Sequence, residues 1–162
     1  MMFREMRRKN QKLDMAECIA VLQRGTSGVL ALAGDNGYPY AVPISYVYHD
    51  DKLLFHCAKE GHKLDAIARS NKVSFCVIDR DEIAPKEYTT HYKSVIVFGE
   101  IRILEDEAEK RTAIEILGRK YAPENTEEEL QAEIERFYAP LCMLELKIEH
   151  VSGKQAKELV GK

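Results

Sequence analysis

A turn signal, Asp35-Asn36-Gly37, constrains the fold more than any other short segment of this chain. Asn and Gly both accept positive φ, as the tight turn of a β-hairpin requires. Residues 28–33, before the turn, have the small and β-branched side chains of a buried strand, and a second strand is expected from Pro39 to Tyr48. Polar residues 49–52 then lead into a third strand over 52–57. The segment therefore predicts three consecutive antiparallel strands.

Helical patterns flank these strands. Asp14 is a candidate N-cap with Glu17 at the capping-box position, and the short first helix that they begin is expected to end at Gly25. Apolar spacing predicts further helices over 62–70, 106–120 and 126–138, and further strands over 73–78, 91–104 and 142–148. Residues 79–90 are polar and follow neither period, so they are expected to form a loop beside a binding site, a candidate lid.

The predicted fold class is α+β and β-rich. Six short strands favour a closed or split barrel over an open sheet, because closure removes exposed strand edges. Gly99 lies inside an apolar strand pattern and suggests the bend that a barrel needs at a corner. We therefore expect six mostly antiparallel strands in a closed or split barrel with peripheral helices.

Size and charge limit the classes of partner. The 162 residues fit one domain, 1–162, and the net charge of -3 gives no electrostatic reason to expect a nucleic acid or membrane partner. A basic start without an apolar run predicts a cytoplasmic protein. The four cysteines are far apart and form no C-x-x-C pair, so reduced thiols and no metal site are expected: Cys18, Cys57, Cys76 and Cys142.

The segment Gly61-His62-Lys63 lies where a predicted strand gives way to a helix. Free N–H groups and the dipole of a helix start favour an anion, Gly61 lets the backbone approach closely, and Lys63 adds a positive charge. These features suit a phosphate group. An ordinary turn followed by a solvated lysine explains the same residues.

Two prolines, Pro39 and Pro43, lie in a strand that otherwise looks central. Proline has no N–H to donate, so this strand must have an edge or a bulge. An edge beside a cavity would leave backbone groups of Val42, Ile44 and Ser45 free to bond the rim of a planar heterocycle. A barrel edge that faces only solvent is the alternative.

Taken in order, these segments resemble the pyridoxamine-phosphate-oxidase-like flavin-binding split barrels, and within them the nitroimidazole-resistance (Nim-type) branch. The resemblance covers nearly the whole chain, and it implies an α+β fold built on a six-stranded antiparallel split β-barrel of Greek-key type with peripheral helices. It depends on Met6 to Lys9, Gly37 to Tyr46, Leu54 to Ala58 with Gly61-His62-Lys63, Asn71 to Phe75, Tyr92 to Val95 with Gly99, and Glu149 to Lys154.

The resemblance implies a homodimer with two flavin mononucleotide (FMN) sites at the subunit interface. The strand facing the flavin ring consists of Val42, Pro43, Ile44, Ser45 and Tyr46. The turn that holds the phosphate contributes Ala58, Gly61, His62 and Lys63. His56 and Cys57, on the strand before this turn, also contact the cofactor, and Ser94 contacts it from within the dimer. His62 and Val42 stand where the oxidases proper usually have arginine, which argues against pyridoxamine-phosphate oxidation.

The resemblance also implies a function. We expect an FMN-dependent oxidoreductase that passes electrons from a nicotinamide cofactor to a small organic acceptor, with nitroaromatics as the suggested class. The sequence has no dinucleotide-binding glycine fingerprint, so NAD(P)H would bind transiently over the flavin. His56 is the candidate catalytic residue, because an imidazole near the flavin can exchange a proton at neutral pH. Two alternatives remain: a histidine that only lines the pocket, and a flavin- or haem-binding module without turnover.

Overall fold

Seven strands form one antiparallel sheet in the order β2-β1-β5-β6-β7-β4-β3. The structure is a computed structural model and describes residues 2–162. The strands are β1 (Ser27–Ala33), β2 (Pro39–Ser45), β3 (Val47–His49), β4 (Lys52–Ala58), β5 (Lys72–Ala84), β6 (Thr89–Ile103) and β7 (Leu141–Gln155). The helices are α1 (Met15–Arg24), α2 (His62–Arg69), α3 (Glu107–Tyr121) and α4 (Glu127–Phe137).

The predicted second strand is divided in two at Tyr46. Its first part, β2, pairs with β1 at one edge of the sheet, whereas its second part, β3, pairs with β4 at the other edge. The Tyr46 side chain is completely buried, so the chain changes partner where this ring enters the core. The two edge strands are thus joined by a single residue, and the sheet curls without closing. Seven strands replace the six that we expected.

Residues 79–90 form no loop. β5 and β6 extend as a long hairpin that pairs as far as Ala84 and Thr89, with one irregularity between Ile78 and Arg80. Side chains of this extension are mostly exposed on both faces, so neither an apolar alternation nor a helical period marks it in the sequence. The predicted lid is therefore an arm of the sheet. Similarly, β7 continues to Gln155 along β6, through a segment that we had expected to follow the strand.

The core lies on the concave face of the sheet. Three rings pack edge to face in it: Phe75 contacts Tyr46 at 5.0 Å and Phe55 at 5.2 Å between ring centroids. α1 contributes Val21 and Leu22 to this core. A second, smaller cluster lies on the other face of β4 and β7, where Leu54 and Met143 pack against Leu117 of α3.

The helix starts follow the sequence closely. Asp14 caps α1 by accepting the Glu17 N–H at 2.8 Å, but the Glu17 carboxylate bonds Arg24 and Lys93 instead of returning to the cap. The predicted capping box is therefore half formed. No helix among residues 2–162 is both long and apolar enough to span a membrane.

Candidate functional site

The segments that we expected to bind a cofactor surround one opening in the sheet. β2 is an edge strand, and β3 covers only Lys52–Leu54 of β4, so the second half of β4 has an unpaired edge on the same side. β2 and β4 contact each other, and α2 begins four residues after β4 ends. We call this opening the β2–β4 cleft. The exposed backbone of two strand edges and the start of a helix meet there.

The orientation of β2 decides which backbone groups reach the cleft. The Tyr46 N–H donates to Thr26 O at 3.2 Å, and Tyr38 O accepts from Gly34 N at 2.9 Å. Even-numbered residues of this strand therefore direct their backbone groups toward β1, because orientation alternates along a strand. The open edge presents the backbone of odd-numbered residues, namely Pro39, Ala41, Pro43 and Ser45.

This alternation corrects one prediction. Val42 and Ile44 direct their backbone toward β1, and their side chains pack against the core. Of the three residues expected to have free backbone groups, only Ser45 lies in the right orientation. Pro39 and Pro43 both direct their backbone toward the open edge. No neighbouring strand pairs with this edge, so the missing N–H groups of the prolines cost no hydrogen bond of the sheet.

α2 begins at a glycine with an unusual backbone conformation. Gly61 has φ 141° and ψ 176°, and a Cβ added to it would have no atom within 4 Å. No side chain caps the first turn of α2. Uncapped N–H groups at a helix start, with open space in front of them, form a suitable place for an anion.

His62 packs sideways against the β1–β2 turn. Its ring stacks on Tyr40 at 3.8 Å between centroids, and its Nε2 lies 3.8 Å from the Asp35 carboxylate. This Nε2 is buried, and it has no hydrogen-bond partner among the described residues. Asp35 is itself held by Arg69 at 2.7 Å, which lowers the pKa of the carboxyl.

Tyr40, Asp35 and Arg69 were missed by the sequence reasoning. Asp35 and Arg69 are 34 residues apart, and an ion pair across that separation leaves no periodic signal. Asp35 belongs to the predicted hairpin turn, so the same residue both ends β1 and anchors α2.

Cys57 and Lys63 are close to each other. Burial and, to a smaller extent, the neighbouring Cys142 raise the pKa of the Cys57 thiol to about 12, and the charge of Lys63 acts in the opposite direction. Cys57 and Cys142 are directly opposite each other on β4 and β7. All four cysteines are free thiols, and Cys57 packs against the core beside the cleft.

His56 lies on the opposite face of β4 from Cys57. Its ring meets Tyr121 of α3 edge to face at 6.0 Å, in the space between β4 and the α3–α4 pair. Burial lowers the pKa of this imidazole, so it is mainly uncharged at neutral pH. The structure therefore separates His56 from the Gly61-His62-Lys63 segment by the thickness of the strand.

Tyr46 and Ser94 do not meet the phosphate turn either. The Tyr46 hydroxyl donates to Leu22 O at 2.7 Å inside the core, and the ammonium of Lys120 lies 4.4 Å above its ring. Ser94 is four residues along β6 from Phe98, and Phe98 is level with Ala31 of β1. That places Ser94 about 13 Å along the strand and about 10 Å across the sheet from β1, on the side away from α2.

Comparison with known proteins gives the family. The model for pyridoxamine 5'-phosphate oxidase matches residues 14–155. The chain belongs to the pyridoxamine 5'-phosphate oxidase family. This confirms the resemblance drawn from the sequence motifs. No curated protein matches the chain significantly.

Several solved structures share the fold of this chain. A candidate 5-nitroimidazole antibiotic resistance protein from Bacteroides thetaiotaomicron is 20% identical with a TM-score of 0.74, over 89% of this chain and 86% of that one. An FAD-binding protein from Mesorhizobium loti is 29% identical with a TM-score of 0.60, over 90% and 97%. An FAD and haem binding protein from Mycobacterium smegmatis is 23% identical with a TM-score of 0.71, over 91% and 74%.

The described residues, 2–162, form no candidate metal site. No group of three or more His, Cys, Asp or Glu side chains within residues 2–162 is arranged to hold a metal ion. The site chemistry available at the β2–β4 cleft is therefore that of backbone groups, one lysine and one buried imidazole nitrogen.

Proposed function

We propose that this protein binds FMN in the β2–β4 cleft and uses it to reduce a small organic acceptor with electrons from NAD(P)H. The observation that carries the proposal is the start of α2. Gly61 leaves open space before uncapped N–H groups, and Lys63 follows two residues later. Backbone donors, a helix dipole and a cation together favour a phosphate monoester.

The residues present fit a flavin phosphate at this position. The His62 Nε2 is a buried polar atom without a partner among residues 2–162, and an added acceptor would satisfy it. Lys63 and the first N–H groups of α2 would bind the phosphate. The open edge of β2, at Ala41 and Ser45, would bond the rim of the flavin ring, with Pro43, Cys57 and Ala58 beside it.

When bound, the flavin supplies the electron transfer, and the protein supplies binding, orientation and exclusion of water. His56, the catalytic residue that the resemblance suggested, faces the other side of β4, so the proposal gives it no proton transfer within this cleft. Its neutral imidazole offers one N–H donor and one acceptor nitrogen. The names of two similar proteins support this proposal. The Mesorhizobium loti protein is called FAD-binding, which supports a flavin cofactor. The Bacteroides thetaiotaomicron name refers to 5-nitroimidazole antibiotics, which supports a nitroaromatic acceptor.

A homodimer of single-domain split-barrel subunits is part of the proposal. The outer face of the sheet presents a row of side chains across three adjacent strands, Val29, Cys76 and Ile96, followed by Ile78 beside Ser94. Val29, Ile78 and Ile96 are 39%, 63% and 38% exposed. Contiguous exposed apolar side chains favour an interface. Ser94 lies on this same face, so in the proposed dimer it would belong to the subunit interface.

A cofactor-binding module without turnover is the second candidate function. His62 is packed between Tyr40 and Asp35, and His56 lies on the other face of β4, so the cleft itself lacks an acid–base pair. Pyridoxamine-phosphate oxidation is the less favoured reaction, since His62 and Val42 replace the arginines expected for it.

The first experiment is an FMN titration followed by visible absorption. The native protein should bind FMN. Lys63→Glu removes a charge-assisted contact of about 1.5–3 kcal/mol and adds repulsion, so affinity should fall at least tenfold. Lys157→Glu, an exposed lysine near the chain end, serves as the matched control. A native protein that takes up no FMN, or a Lys63→Glu variant that binds equally well, would contradict the proposal.

Turnover is tested separately with the loaded protein. Oxidation of NADH or NADPH is followed with and without a nitroaromatic acceptor such as nitrofurazone. Acceptor-dependent oxidation supports the oxidoreductase. A loaded protein that shows none, while FMN is bound normally, supports the module without turnover.

A further inference from the structure

A cavity of about 310 Å³ lies between the outer face of β4 and the α3–α4 pair. Its walls are mostly aliphatic, among them Leu117, Ile134 and Leu141. His56 and Glu133 are also among its lining residues. This cavity, which we call the helix-pair cavity, is on the face of β4 opposite Cys57 and the phosphate turn.

Two aromatic side chains that line the helix-pair cavity are unusually exposed. Tyr121 and Phe137 are 50% and 53% exposed, although large aromatic side chains normally bury most of their surface. Tyr121 already meets the His56 ring edge to face. An aromatic molecule inside the cavity would contact both rings and cover apolar surface that water now reaches.

The volume limits the size of this molecule. An engineered protein cavity of roughly 150 Å³ holds benzene, so about twice that volume accommodates a fused pair of rings.

The charges limit its polarity. His56 makes no hydrogen bond with residues 2–162, and its imidazole is mainly uncharged at neutral pH. The only ionised group in the lining is the Glu133 carboxylate, which repels anions. A neutral ring with one hydroxyl or N–H group would pair with the imidazole nitrogen and avoid this repulsion.

We propose that the helix-pair cavity is a second binding site, for an uncharged fused-ring aromatic compound whose single polar group bonds His56. This site does not depend on FMN. It uses no side chain of the phosphate turn, and it lies behind the strand that borders the β2–β4 cleft. A phosphate ester does not suit it, because nothing in its lining is positively charged at neutral pH.

The test measures binding of 2-naphthol and its carboxylate analogue, 2-naphthoate, by titration calorimetry at pH 7. We expect 2-naphthol to bind with a dissociation constant below about 1 mM, and 2-naphthoate to bind at least about tenfold more weakly. Ala122→Leu places a larger side chain at the cavity wall, and Phe137→Ala removes an exposed ring from it. Each should weaken 2-naphthol binding at least threefold, or roughly 0.65 kcal/mol.

Met15→Ala is the matched control, because Met15 is a 56% exposed apolar residue on α1, which does not line the cavity. It should bind 2-naphthol like the native protein. Phe137→Ala keeps the test decisive if Ala122→Leu fails to fold. Lys63→Glu should lose FMN and keep 2-naphthol, which separates the two proposals. Absent binding, equal binding of both probes, or native affinity in Phe137→Ala would overturn the inference.

Discussion

Replacing Tyr46 by phenylalanine removes one hydroxyl from the buried core of the fold. The Tyr46 side chain has no exposed surface, and its hydroxyl donates to Leu22 O, near the end of α1, at 2.7 Å. The hydroxyl is also tightly packed, since a Cβ built on Gly25 would lie only 2.4 Å from it. Water therefore has no room to replace the lost donor.

The cost follows from the carbonyl that remains. A buried acceptor left without a donor costs about 1–3 kcal/mol, and we expect Tyr46→Phe to lower the free energy of unfolding by that amount. For a chain of this size each kcal/mol lowers Tm by about 2–4 °C. Because the hydroxyl lies in the core and not in the β2–β4 cleft, FMN affinity should stay within about twofold of native.

Urea unfolding, followed by fluorescence, measures the free energy of unfolding. An unchanged dependence of that free energy on urea concentration would show that the variant exposes the same surface when it unfolds. FMN titration measures the affinity for the cofactor. Tyr88→Phe is the control, because Tyr88 is 98% exposed at the tip of the β5–β6 arm and should shift stability by less than about 0.5 kcal/mol. A variant with native stability and weakened FMN binding would show that the hydroxyl serves the cofactor, as the sequence resemblance suggested, and would refute this reasoning.

Three further predictions concern single sites. Gly61→Ala should destabilise by about 1–3 kcal/mol in urea, because φ 141° is costly for any residue with a Cβ although no neighbour clashes. The hydrogen bond from Arg24 lowers the pKa of Asp79, so this pair stabilises the fold above about pH 4, and its contribution is lost as the pH falls further. Asp79→Asn should therefore make the urea midpoint of unfolding depend less on pH between about pH 3 and 5. Burial raises the pKa of Cys57, so iodoacetamide at pH 8 should leave this thiol unmodified in the native protein and label it fully in guanidinium, as mass spectrometry of peptides would show.

Local signals carried the parts of the fold that were predicted well. Asn36 and Gly37 adopt φ 56° and 79°, as the turn signal required, and Asp14 caps α1. Such features depend on a few adjacent residues, whose conformational preferences act wherever the segment lies in the fold. The starts of the later helices were also close to their observed positions, because capping residues and apolar spacing identify them.

The errors have a common cause, which is pairing with distant segments. The polar hairpin arm over 79–90 becomes regular only because β5 and β6 pair beyond the other strands of the sheet, and β7 is extended by its partner β6. Hydrogen bonds between backbones require no particular side chains, so the sequence pattern does not record them. For the same reason, the composition of the segment around Tyr46 gave no indication that its first part pairs at one edge of the sheet and its second part at the other.

The candidate site shows the same division. Glycine and lysine at the start of α2 were recognised from the sequence, since their chemistry suits an anion without reference to anything else. His62 stacks on Tyr40, whereas His56 faces a separate cavity. The difference depends on which side of α2 or β4 each residue lies, and the sequence did not show these sides. The three-residue linker between β4 and α2 keeps His56 and His62 close in sequence, although they lie on different surfaces of the fold.

The sequence by itself determined the family, the turns, the helix starts and the types of side chain available for a phosphate. Tertiary structure decided which of those side chains share a surface. Val42 and Ile44 turned their backbone toward β1, Tyr46 became a core residue, and Ser94 lay far from α2. The physical reason is that strand pairing fixes the direction of every second backbone group over distances that far exceed the range of local conformational preference.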